Sequence, residues 1–420
     1  MNPYGELEWR GLVYDATEGL RQLLDRECVT VYSGFDPTAS SLHVGHLLPA
    51  LALSRLQRLG HHPIAVVGGG TGLIGDPSGK NTERALLSVE QVEGNVASIR
   101  QQLARFLDFD AKANPARLVN NADWLTTINA MEFLRDIGKH FSVNAMLARE
   151  SVKRRLESAD GISYTEFSYS LLQAYDFLVL HDRFGCALQI GGSDQWGNIV
   201  SGCDLIRRLR GARAHGLVMP LLTTASGTKF GKTEAGAVWL DPSLTRPYEF
   251  YQFWLNADDR DAVKYLRSFT FLDASRIAEL ETATAREPER RAAQRELARE
   301  VTRLVHGDAA VTEAEAAARA LFDGEVTSMS VSQLLEVFPN VPSSTTQYVA
   351  DGWPVIDLLT VSGMVSSRGE AARLIRGGGV SINSQKVTDE KQRLLPEHAV
   401  EGKLFVLRKG KRDHFLLRIV

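Results

Sequence analysis

The first two-thirds of the chain alternate between short apolar runs and longer stretches with helical periodicity. Val29–Phe35 and Ile64–Val67 are rich in β-branched residues, and a helical stretch from about His46 to Leu59 joins them. Two further short runs, Leu118–Asn120 and Ala187–Ile190, precede helical segments in the same way. Parallel strands need a crossover, which is usually a helix. The sequence therefore predicts an α/β fold with a parallel sheet and helices on both faces.

The pattern changes after Pro242. From Ala274 to Leu321 the chain is rich in Ala, Glu and Arg and shows no strand signal, which predicts an all-helical region. A stretch mixing Ser, Thr, Pro and Gly follows, with a short helix expected around Val331–Val337, and a small α+β module begins near Trp353. We therefore expect four segments: 1–242, 243–323, a linker over 324–352, and 353–420.

The charge is distributed unevenly along the chain. The net charge is only −3, yet residues 361–420 carry twelve Lys/Arg and six Asp/Glu, so the preceding residues carry −9. A basic end on an acidic body suggests a polyanionic partner for that end, although a solvated charged surface gives the same count.

Three cysteines at wide spacings predict neither a disulfide framework nor a zinc site, and we expect no tightly bound metal. The start of the chain lacks the basic and apolar regions of a signal peptide, and no apolar run reaches membrane-spanning length. These features predict a cytoplasmic location without a membrane partner.

His43 and His46 flank Gly45 where a strand-and-loop segment gives way to a helix. Ligands of an α/β sheet lie at the carboxyl ends of strands, and a helix N-terminus there favours an anion. Gly45 lets a ligand approach the backbone closely. The pair predicts a phosphate site, but two capping or core histidines would give the same pattern.

Gly70, Gly72 and Gly75 match the spacing of a dinucleotide fingerprint. We reject that interpretation because Pro77 and Gly79 interrupt the helix that the fingerprint needs. The glycines are then expected to bring backbone close to a ligand. Asp76 follows them as a carboxylate at the tip of the loop, unless it is only a turn residue before proline.

A capping box formed by Ser163 and Glu166 predicts the start of a helix. Tyr169, Gln173 and Asp176 then lie on one face of that helix. This face is expected either to face water or to line a pocket with a phenol, an amide and a carboxylate. Such a set could bind an ammonium at one end and a hydroxyl at the other.

Two later segments complete the candidate site. Gln189–Gln195 places Asp194 and Gln195 just after a strand, where they could hold a ribose or another polar group. Thr228–Thr233 carries Lys229 and Lys232 between glycines. Mobile lysines suit a phosphate whose charge changes during a reaction, although an exposed basic loop is the common outcome.

Taken in this order, the motifs resemble those of class I aminoacyl-tRNA synthetases. His43–His46 is similar to the HIGH motif, and Lys229–Thr233 is similar to the KMSKS motif in the form found in bacterial tyrosyl-type enzymes. Four other segments resemble the same family: Gly34–Thr38, Thr71–Ser78, Glu166–Phe177 and Gln189–Gly197. The resemblance implies a Rossmann-like catalytic domain with a dimer-interface insertion, followed by a helical anticodon-side domain.

The resemblance also implies a role for each matching residue. It assigns catalysis to Thr38, His43, His46, Lys229 and Lys232. It assigns the amino-acid substrate to Tyr32, Asp76, Tyr169, Gln173, Asp176 and Gln195, of which Tyr32 and Asp176 match the pair that holds a phenolic hydroxyl. It assigns ATP to Gly34, Asp36, Gly45, Gly192, Asp194 and Lys232. Ser33 departs from the family, where many members carry Cys beside the ribose.

The implied substrates are L-tyrosine, ATP with Mg²⁺, and tRNA(Tyr), and the implied assembly is a homodimer through parts of residues 120–160. The last module resembles a small RNA-binding domain shared with a ribosomal protein. In it the basic residues expected to contact tRNA phosphates are Arg368, Arg373, Arg376 and Lys386.

Three other functions remain open. A tryptophanyl-type synthetase shares the two signature motifs but has no use for a hydroxyl clamp at Tyr32 and Asp176. A nucleotidylyltransferase would need neither the helical region nor the basic module. A non-catalytic RNA-binding paralogue would have no reason to keep His43, His46 and the two lysines.

Overall fold

The computed structural model describes residues 2–76, 87–157, 161–228, 230–233, 236–323, 326, 329–338, 341–410 and 413–420. The chain divides into two compact units, Met1–Val305 and His306–Val420. Within the described ranges, no helix is both long and apolar enough to cross a membrane.

The first unit is built on a six-stranded sheet with the order β1-β6-β5-β2-β3-β4. The strands are β1 (Asp15–Ala16), β2 (Thr30–Phe35), β3 (His62–Val67), β4 (Arg117–Asn120), β5 (Cys186–Gly192) and β6 (His215–Met219). All neighbours pair in parallel except β1, which runs antiparallel to β6 at the edge. The predicted parallel α/β sheet is confirmed.

Helices connect and flank these strands. In chain order they are α1 (Pro3–Trp9), α2 (Leu20–Arg26), α3 (Val44–Arg58), α4 (Val89–Leu103), α5 (Ala122–Leu125), α6 (Ala130–Glu132), α7 (Val143–Leu147), α8 (Glu150–Leu156), α9 (Tyr164–Phe184), α10 (Trp196–Arg210), α11 (Pro247–Leu255), α12 (Asp259–Phe269), α13 (Ala274–Arg286) and α14 (Ala292–His306). A two-residue strand, β7 (Lys232–Thr233), pairs antiparallel with β8 (Gly236–Ala237).

The central strands are buried on both faces, as expected for a parallel sheet covered by helices. From Pro63 to Val67 every residue of β3 is buried, and β6 is buried throughout. The register aligns Phe35 with Val67 and Val67 with Asn120. The strands therefore end together, and the loops that follow them meet at one edge of the sheet.

The N-terminus of α9 differs from its prediction in one contact. The Ser163 side chain accepts from the Glu166 amide at 3.2 Å, as an N-cap should. The carboxylate of Glu166, however, forms a two-pronged ion pair with Arg155, at 2.9 and 3.0 Å. Both side chains are at most 4% exposed, so this is a buried pair that joins α8 to α9.

The second unit contains a five-stranded sheet with the order β12-β11-β14-β15-β9. Its strands are β9 (Ser343–Thr346), β11 (Val380–Ile382), β12 (Gln385–Lys386), β14 (Leu404–Lys409) and β15 (Asp413–Ile419), with β10 (Trp353–Pro354) and β13 (Arg393–Leu394) pairing separately. Its helices are α15 (Asp308–Asp323), α16 (Val331–Val337), α17 (Val355–Val361) and α18 (Arg368–Arg376).

The stretch expected to be a linker, 324–352, contains a strand that the sequence did not predict. β9 pairs in parallel with β15, from Ser343 opposite Leu416 to Thr346 opposite Ile419. The short helix expected around Val331–Val337 is present. The Ser-Ser-Thr-Thr run of β9 has no apolar face from which a strand could be predicted, and its partner, β15, lies at the end of the chain.

Candidate active site

A cavity of about 350 Å³ opens at the carboxyl edge of the first sheet. Its wall is formed by the ends of β2, β3 and β5, the start of α3 and the polar face of α9. Of the residues singled out in the sequence, those that line it are Tyr32, Gly34, Asp36, Thr38, His43, Gly45, His46, Asp76, Tyr169, Gln173, Asp176, Gly192, Asp194 and Gln195.

One end of the cavity holds a buried carboxylate beside a buried phenol. Asp176 Oδ1 accepts from Trp124 Nε1 at 2.7 Å, and its Oδ2 accepts from Asn121 Nδ2 at 2.9 Å. Burial raises the pKa of Asp176 to about 7, against the lowering effect of these two donors. Among the described residues, the buried hydroxyl of Tyr32 has no hydrogen-bond partner. Burial, and then Asp176, raise the pKa of Tyr32 well above its usual value.

A second group of polar side chains lies where the loop after β3 faces α9 and α10. Asp76 Oδ2 accepts from Gln195 Nε2 at 2.6 Å. Asn198 Nδ2 donates to Gln173 Oε1 at 3.1 Å and to Gln195 Oε1 at 3.3 Å. These bonds hold one carboxylate and three side-chain amides side by side, a set that suits an ammonium group.

Tyr169 and Asp36 form the link between β2 and α9. The hydroxyl of Tyr169 donates to Asp36 Oδ2 at 2.7 Å, and Thr71 Oγ1 donates to Asp36 Oδ1 at 2.7 Å. Burial, and then the negative charge of Asp36, raise the pKa of Tyr169 well above its usual value. Tyr169 therefore remains a protonated donor at neutral pH.

The two histidines cap the helix that they begin. His43 Nδ1 accepts from the Gly45 amide at 3.0 Å, and His46 Nδ1 accepts from the His43 amide at 3.2 Å. The rings stack with their centroids 4.0 Å apart. Since Nδ1 accepts in both rings, the neutral form of each carries its hydrogen on Nε2. The capping role left open by the sequence is thus present, in rings that also line the cavity.

The lysine-bearing loop is anchored on both sides of its glycine turn. Val44 donates to the carbonyl of Val238 at 2.9 Å, and Phe230 donates to that of Leu222 at 3.1 Å. The Phe230 ring packs at 4.9–5.6 Å from four rings on α11 and α12: Phe253, Trp254, Tyr265 and Phe269. Lys229 lies outside the described residues, as does the side chain of Lys232; the backbone of Lys232 belongs to β7.

Glycines pack against polar side chains just beyond β3. A β-carbon on Gly68 would overlap Asp36 Oδ1, and one on Gly69 would overlap Asn120 Oδ1. The Gly69 amide donates to that same Asn120 oxygen at 3.1 Å. The turn is therefore glycine because polar side chains fill the space that a β-carbon would need.

Sequence reasoning missed three residues that shape the site. Asn121 and Thr71 line the cavity, and Trp124 donates to Asp176 from behind it. Asn121 directly follows β4, so the rule that ligands lie at the carboxyl ends of strands could have identified it. Nothing in the sequence indicated that Trp124 would reach Asp176.

The four basic residues singled out in the second unit lie on α18 and on β12, the strand that follows the turn after β11. Arg368, Arg373, Arg376 and Lys386 are all exposed. Arg376 pairs with Glu390 at 3.2 Å. The predicted tight turn is present at Asn383 and Ser384, which both have positive φ. These four side chains all lie on the surface of the second unit.

Family models match both units. The model for class I tRNA synthetases of the tryptophan and tyrosine type covers residues 24–323. The model for a tyrosine–tRNA ligase C-terminal domain covers residues 333–417. Among solved structures, a Plasmodium falciparum tryptophanyl-tRNA synthetase shares 14% identity over 79% of this chain and 87% of its own, with a TM-score of 0.53, which shows a common fold.

Similarity to tyrosine-specific enzymes is much higher. A tyrosine–tRNA ligase of Roseiflexus castenholzii is 58% identical over 99% of both chains, and one of Geobacillus stearothermophilus is 52% identical over the full length of both. A truncated mitochondrial tyrosyl-tRNA synthetase of Coccidioides posadasii aligns with a TM-score of 0.66 and 34% identity, over 75% of this chain and 91% of its own. The chain belongs to the tyrosine–tRNA ligases, the tyrosine branch of the class I aminoacyl-tRNA synthetases.

Proposed function

We propose that the cavity binds tyrosine with its phenolic hydroxyl between Tyr32 and Asp176. The observation that carries this proposal is the Tyr32 hydroxyl, which is buried beside the Asp176 carboxylate and lacks a partner among the described residues. A substrate hydroxyl would donate to Asp176 and accept from Tyr32, so that both buried groups are paired. Phenylalanine would leave them unpaired, which is how such a site rejects it; the handling of tyrosine and phenylalanine by this enzyme family is a known example.

The ammonium of tyrosine is proposed to bind Asp76, Tyr169 and Gln173, with Gln195 holding Asp76 in place. Gln195 donates to Asp76 Oδ2 at 2.6 Å, which fixes one carboxylate oxygen. Tryptophan has the same ammonium group as tyrosine but no phenolic hydroxyl, so the pair of Tyr32 and Asp176 gives it no advantage. The tryptophan alternative is not favoured.

ATP is proposed to lie along the start of α3 and the end of β5. Gly34, Gly45 and Gly192 offer backbone without side chains, and Asp36 and Asp194 offer carboxylates to ribose or base. His43 and His46 would donate from Nε2 toward the phosphates, beside the positive end of the α3 dipole. Thr38, at the exposed rim, and the lysines Lys229 and Lys232 would add further donors.

The reaction needs no protein nucleophile. The tyrosine carboxylate attacks the α-phosphorus of ATP and pyrophosphate leaves, which gives tyrosyl-adenylate. A ribose hydroxyl at the tRNA 3′ end then attacks the carbonyl carbon of that adenylate, AMP leaves, and the hydroxyl proton is released. Catalysis would come from positioning and from stabilising charge on the transferring phosphate. ATP would enter as its magnesium complex, with the metal held mainly by phosphate oxygens and water.

The second unit is proposed to hold tRNA through Arg368, Arg373, Arg376 and Lys386. All four are exposed, and phosphate contacts from such residues position RNA without reading its sequence. The folding units would be those expected from the sequence: a catalytic domain over 1–242, a helical domain over 243–323, and the basic module over 353–420.

We also propose a cytoplasmic homodimer formed through parts of residues 120–160. Large apolar side chains are exposed along this stretch at Met131, Leu134, Val143, Leu147 and Leu156, and Met131 is 76% exposed. A cluster of this kind marks an interface, and two-fold pairing is its commonest form. Sedimentation of Met131→Glu/Leu134→Glu beside the wild type tests this: we expect a mass near one chain for the variant, and an unchanged dimer would contradict the proposal.

The tyrosine site is tested by pyrophosphate exchange into ATP without tRNA, driven in turn by tyrosine, phenylalanine and tryptophan. We expect exchange with tyrosine alone. Exchange with tryptophan at a similar rate would overturn the hydroxyl clamp. Loss of tyrosine-dependent exchange in the Asp176→Ala variant would place the selection of tyrosine within the cavity.

A further inference from the structure

A single side chain, Asn121, joins three parts of the cavity wall. It is 1% exposed and stands just after β4. Its Oδ1 accepts from the Gly70 amide at 2.8 Å, which fixes the orientation of the side-chain amide. The Nδ2 group must then donate both its hydrogens, one to Asp176 Oδ2 and one to Thr71 Oγ1, each at 2.9 Å.

The same argument fixes the direction of the next bond. Thr71 has one hydroxyl hydrogen, and its oxygen already accepts from Asn121. The hydrogen therefore goes to Asp36 Oδ1, 2.7 Å away. The other oxygen of Asp36 accepts from Tyr169 at 2.7 Å. In the chain of hydrogen bonds from Asp176 through Asn121, Thr71 and Asp36 to Tyr169, the donor and the acceptor of each bond are therefore determined.

We infer that the Thr71 hydroxyl is a specificity-determining positioning group, which couples the hydroxyl end of the tyrosine site to its ammonium end. The inference rests on the proposed roles of Asp176 and Tyr169. Thr71 itself is 2% exposed and lies between the two ends. Its hydroxyl keeps Asn121 aimed at Asp176 and keeps Asp36 aimed at Tyr169.

Loss of this hydroxyl should lower the use of tyrosine more than the use of phenylalanine. Without it, one Nδ2 hydrogen of Asn121 loses its acceptor, and the side chain is held only by its bonds to Gly70 and Asp176. The carboxylate that receives the substrate hydroxyl is then positioned less firmly, and Asp36 loses a donor. Tyrosine feels this loss through its hydroxyl, whereas phenylalanine, which makes no bond to Asp176, does not.

A role confined to packing gives a different result. Thr71 begins a short 3₁₀ turn, and the Gly75 amide bonds its carbonyl at 2.9 Å. If the residue served only to hold that turn, its replacement would disturb tyrosine and phenylalanine alike. The ratio of the two activities therefore separates the two roles.

The experiment compares Thr71→Val, which keeps the shape of the side chain, with Thr71→Ser, which keeps the hydroxyl. For each, kcat/KM in pyrophosphate exchange is measured with tyrosine and with phenylalanine. We expect Thr71→Val to lower the tyrosine-to-phenylalanine ratio by about 10-fold or more, the weight of one hydrogen bond to a charged group. Thr71→Ser should stay within about 2-fold of the wild type.

An unchanged ratio in Thr71→Val, or an equal fall of the ratio in Thr71→Ser, would overturn the inference. If Thr71→Val does not yield folded protein, Thr71→Ala, which cannot overfill the site, takes its place with the same expected outcomes. Asp176→Ala separates failure of the proposed tyrosine pocket from failure of the coupling through Thr71. If it keeps the preference for tyrosine, the proposed pocket is wrong; if it loses the preference while Thr71→Val keeps it, only the coupling through Thr71 is wrong.

Discussion

His43 accepts the amide hydrogen of Gly45 on its own ring, 3.0 Å from Nδ1, and so caps the helix that it begins. One side chain therefore has two separable tasks: Nδ1 satisfies the helix, while Nε2 carries the hydrogen that is proposed to reach a phosphate. Asparagine is among the best N-cap residues, but it offers no donor at the position of Nε2.

We therefore expect His43→Asn to fold as well as the wild type and to lose adenylation. Removing one donor from a charge-stabilising site costs about 100- to 1,000-fold in kcat. Tyrosine-dependent pyrophosphate exchange measures the loss, and thermal unfolding measures the cap. His43→Ala should show both defects, with about 1 kcal/mol of stability lost. Full exchange activity in His43→Asn would contradict the proposed role.

Asp176→Ala should impair the use of tyrosine far more than the binding of ATP. The lost bond joins a substrate hydroxyl to a buried carboxylate, and bonds to charged groups are worth about 1.5–3 kcal/mol, so kcat/KM for tyrosine should fall by about 10- to 100-fold. The KM for ATP should stay near its wild-type value. Tyr175→Phe is the matched control, because Tyr175 directly precedes Asp176 on α9 and does not line the cavity. A change in Tyr175→Phe as large as in Asp176→Ala would mean that α9, and not the carboxylate, is responsible.

The buried pair of Arg155 and Glu166 should behave very differently from an exposed one. Arg155→Met alone leaves a buried carboxylate uncompensated and should cost about 3–5 kcal/mol in denaturant unfolding. Arg155→Met with Glu166→Leu replaces the pair by apolar groups and should recover most of that loss. The pair of Arg207 and Asp204, whose side chains are 64% and 52% exposed, is the comparison; breaking it should cost less than about 1 kcal/mol.

His61 should make the folded state sensitive to acid. Its ring is buried, Nδ1 accepts from the Val29 amide at 3.1 Å, and burial, with a smaller effect of His62, lowers its pKa below 6.5. The unfolded chain then binds a proton that the folded chain does not. The contribution of His61 to stability is complete above about pH 6.5 and is lost as the pH falls from there through the folded pKa.

His61→Gln removes this titration and is the variant to compare. The free energy of unfolding, followed from pH 8 to about pH 5, should fall less steeply for the variant below about pH 6.5. Parallel curves for the two proteins would show that His61 does not contribute to the acid sensitivity.

Arg373→Gln should weaken tRNA binding without affecting adenylation. The side chain is exposed on α18, and a lost phosphate contact reduces the salt dependence of binding by about one unit of slope. Pyrophosphate exchange, which needs no tRNA, should be unchanged. If aminoacylation and its salt dependence both stay at wild-type values, Arg373 does not contact the RNA.

The sheet could be predicted where strands carry β-branched runs, as in β2 and β3. β1 and β6 could not, because Asp15–Ala16 is too short to show a period and His215–Met219 has one β-branched residue. β1 pairs with β6, which follows it by about two hundred residues, and local sequence does not encode a contact between segments so far apart.

In the cavity, too, contacts within one segment could be predicted from the sequence, whereas contacts between distant segments could not. Tyr169, Gln173 and Asp176 share a helix face, so their spacing alone places them together. Trp124 and Asp176, by contrast, are 52 positions apart and meet because α5 and α9 share one apolar core in the fold. Directions of hydrogen bonds, such as that of the Thr71 hydroxyl, follow from the completed fold and not from any segment.

The turn after β3 has a consequence for how this chain can change over time. Asp36 fills the space that a β-carbon on Gly68 would need, and Asn120 does the same at Gly69. Neither glycine can be replaced while its polar neighbour stays, so each pair should vary together across related chains or not at all. A β-carbon on Gly68 would also overlap the Thr71 hydroxyl, so a lineage would have to lose both Asp36 and Thr71 before other residues became possible at Gly68. A different residue at Gly68 would then be a visible record of the two lost polar groups.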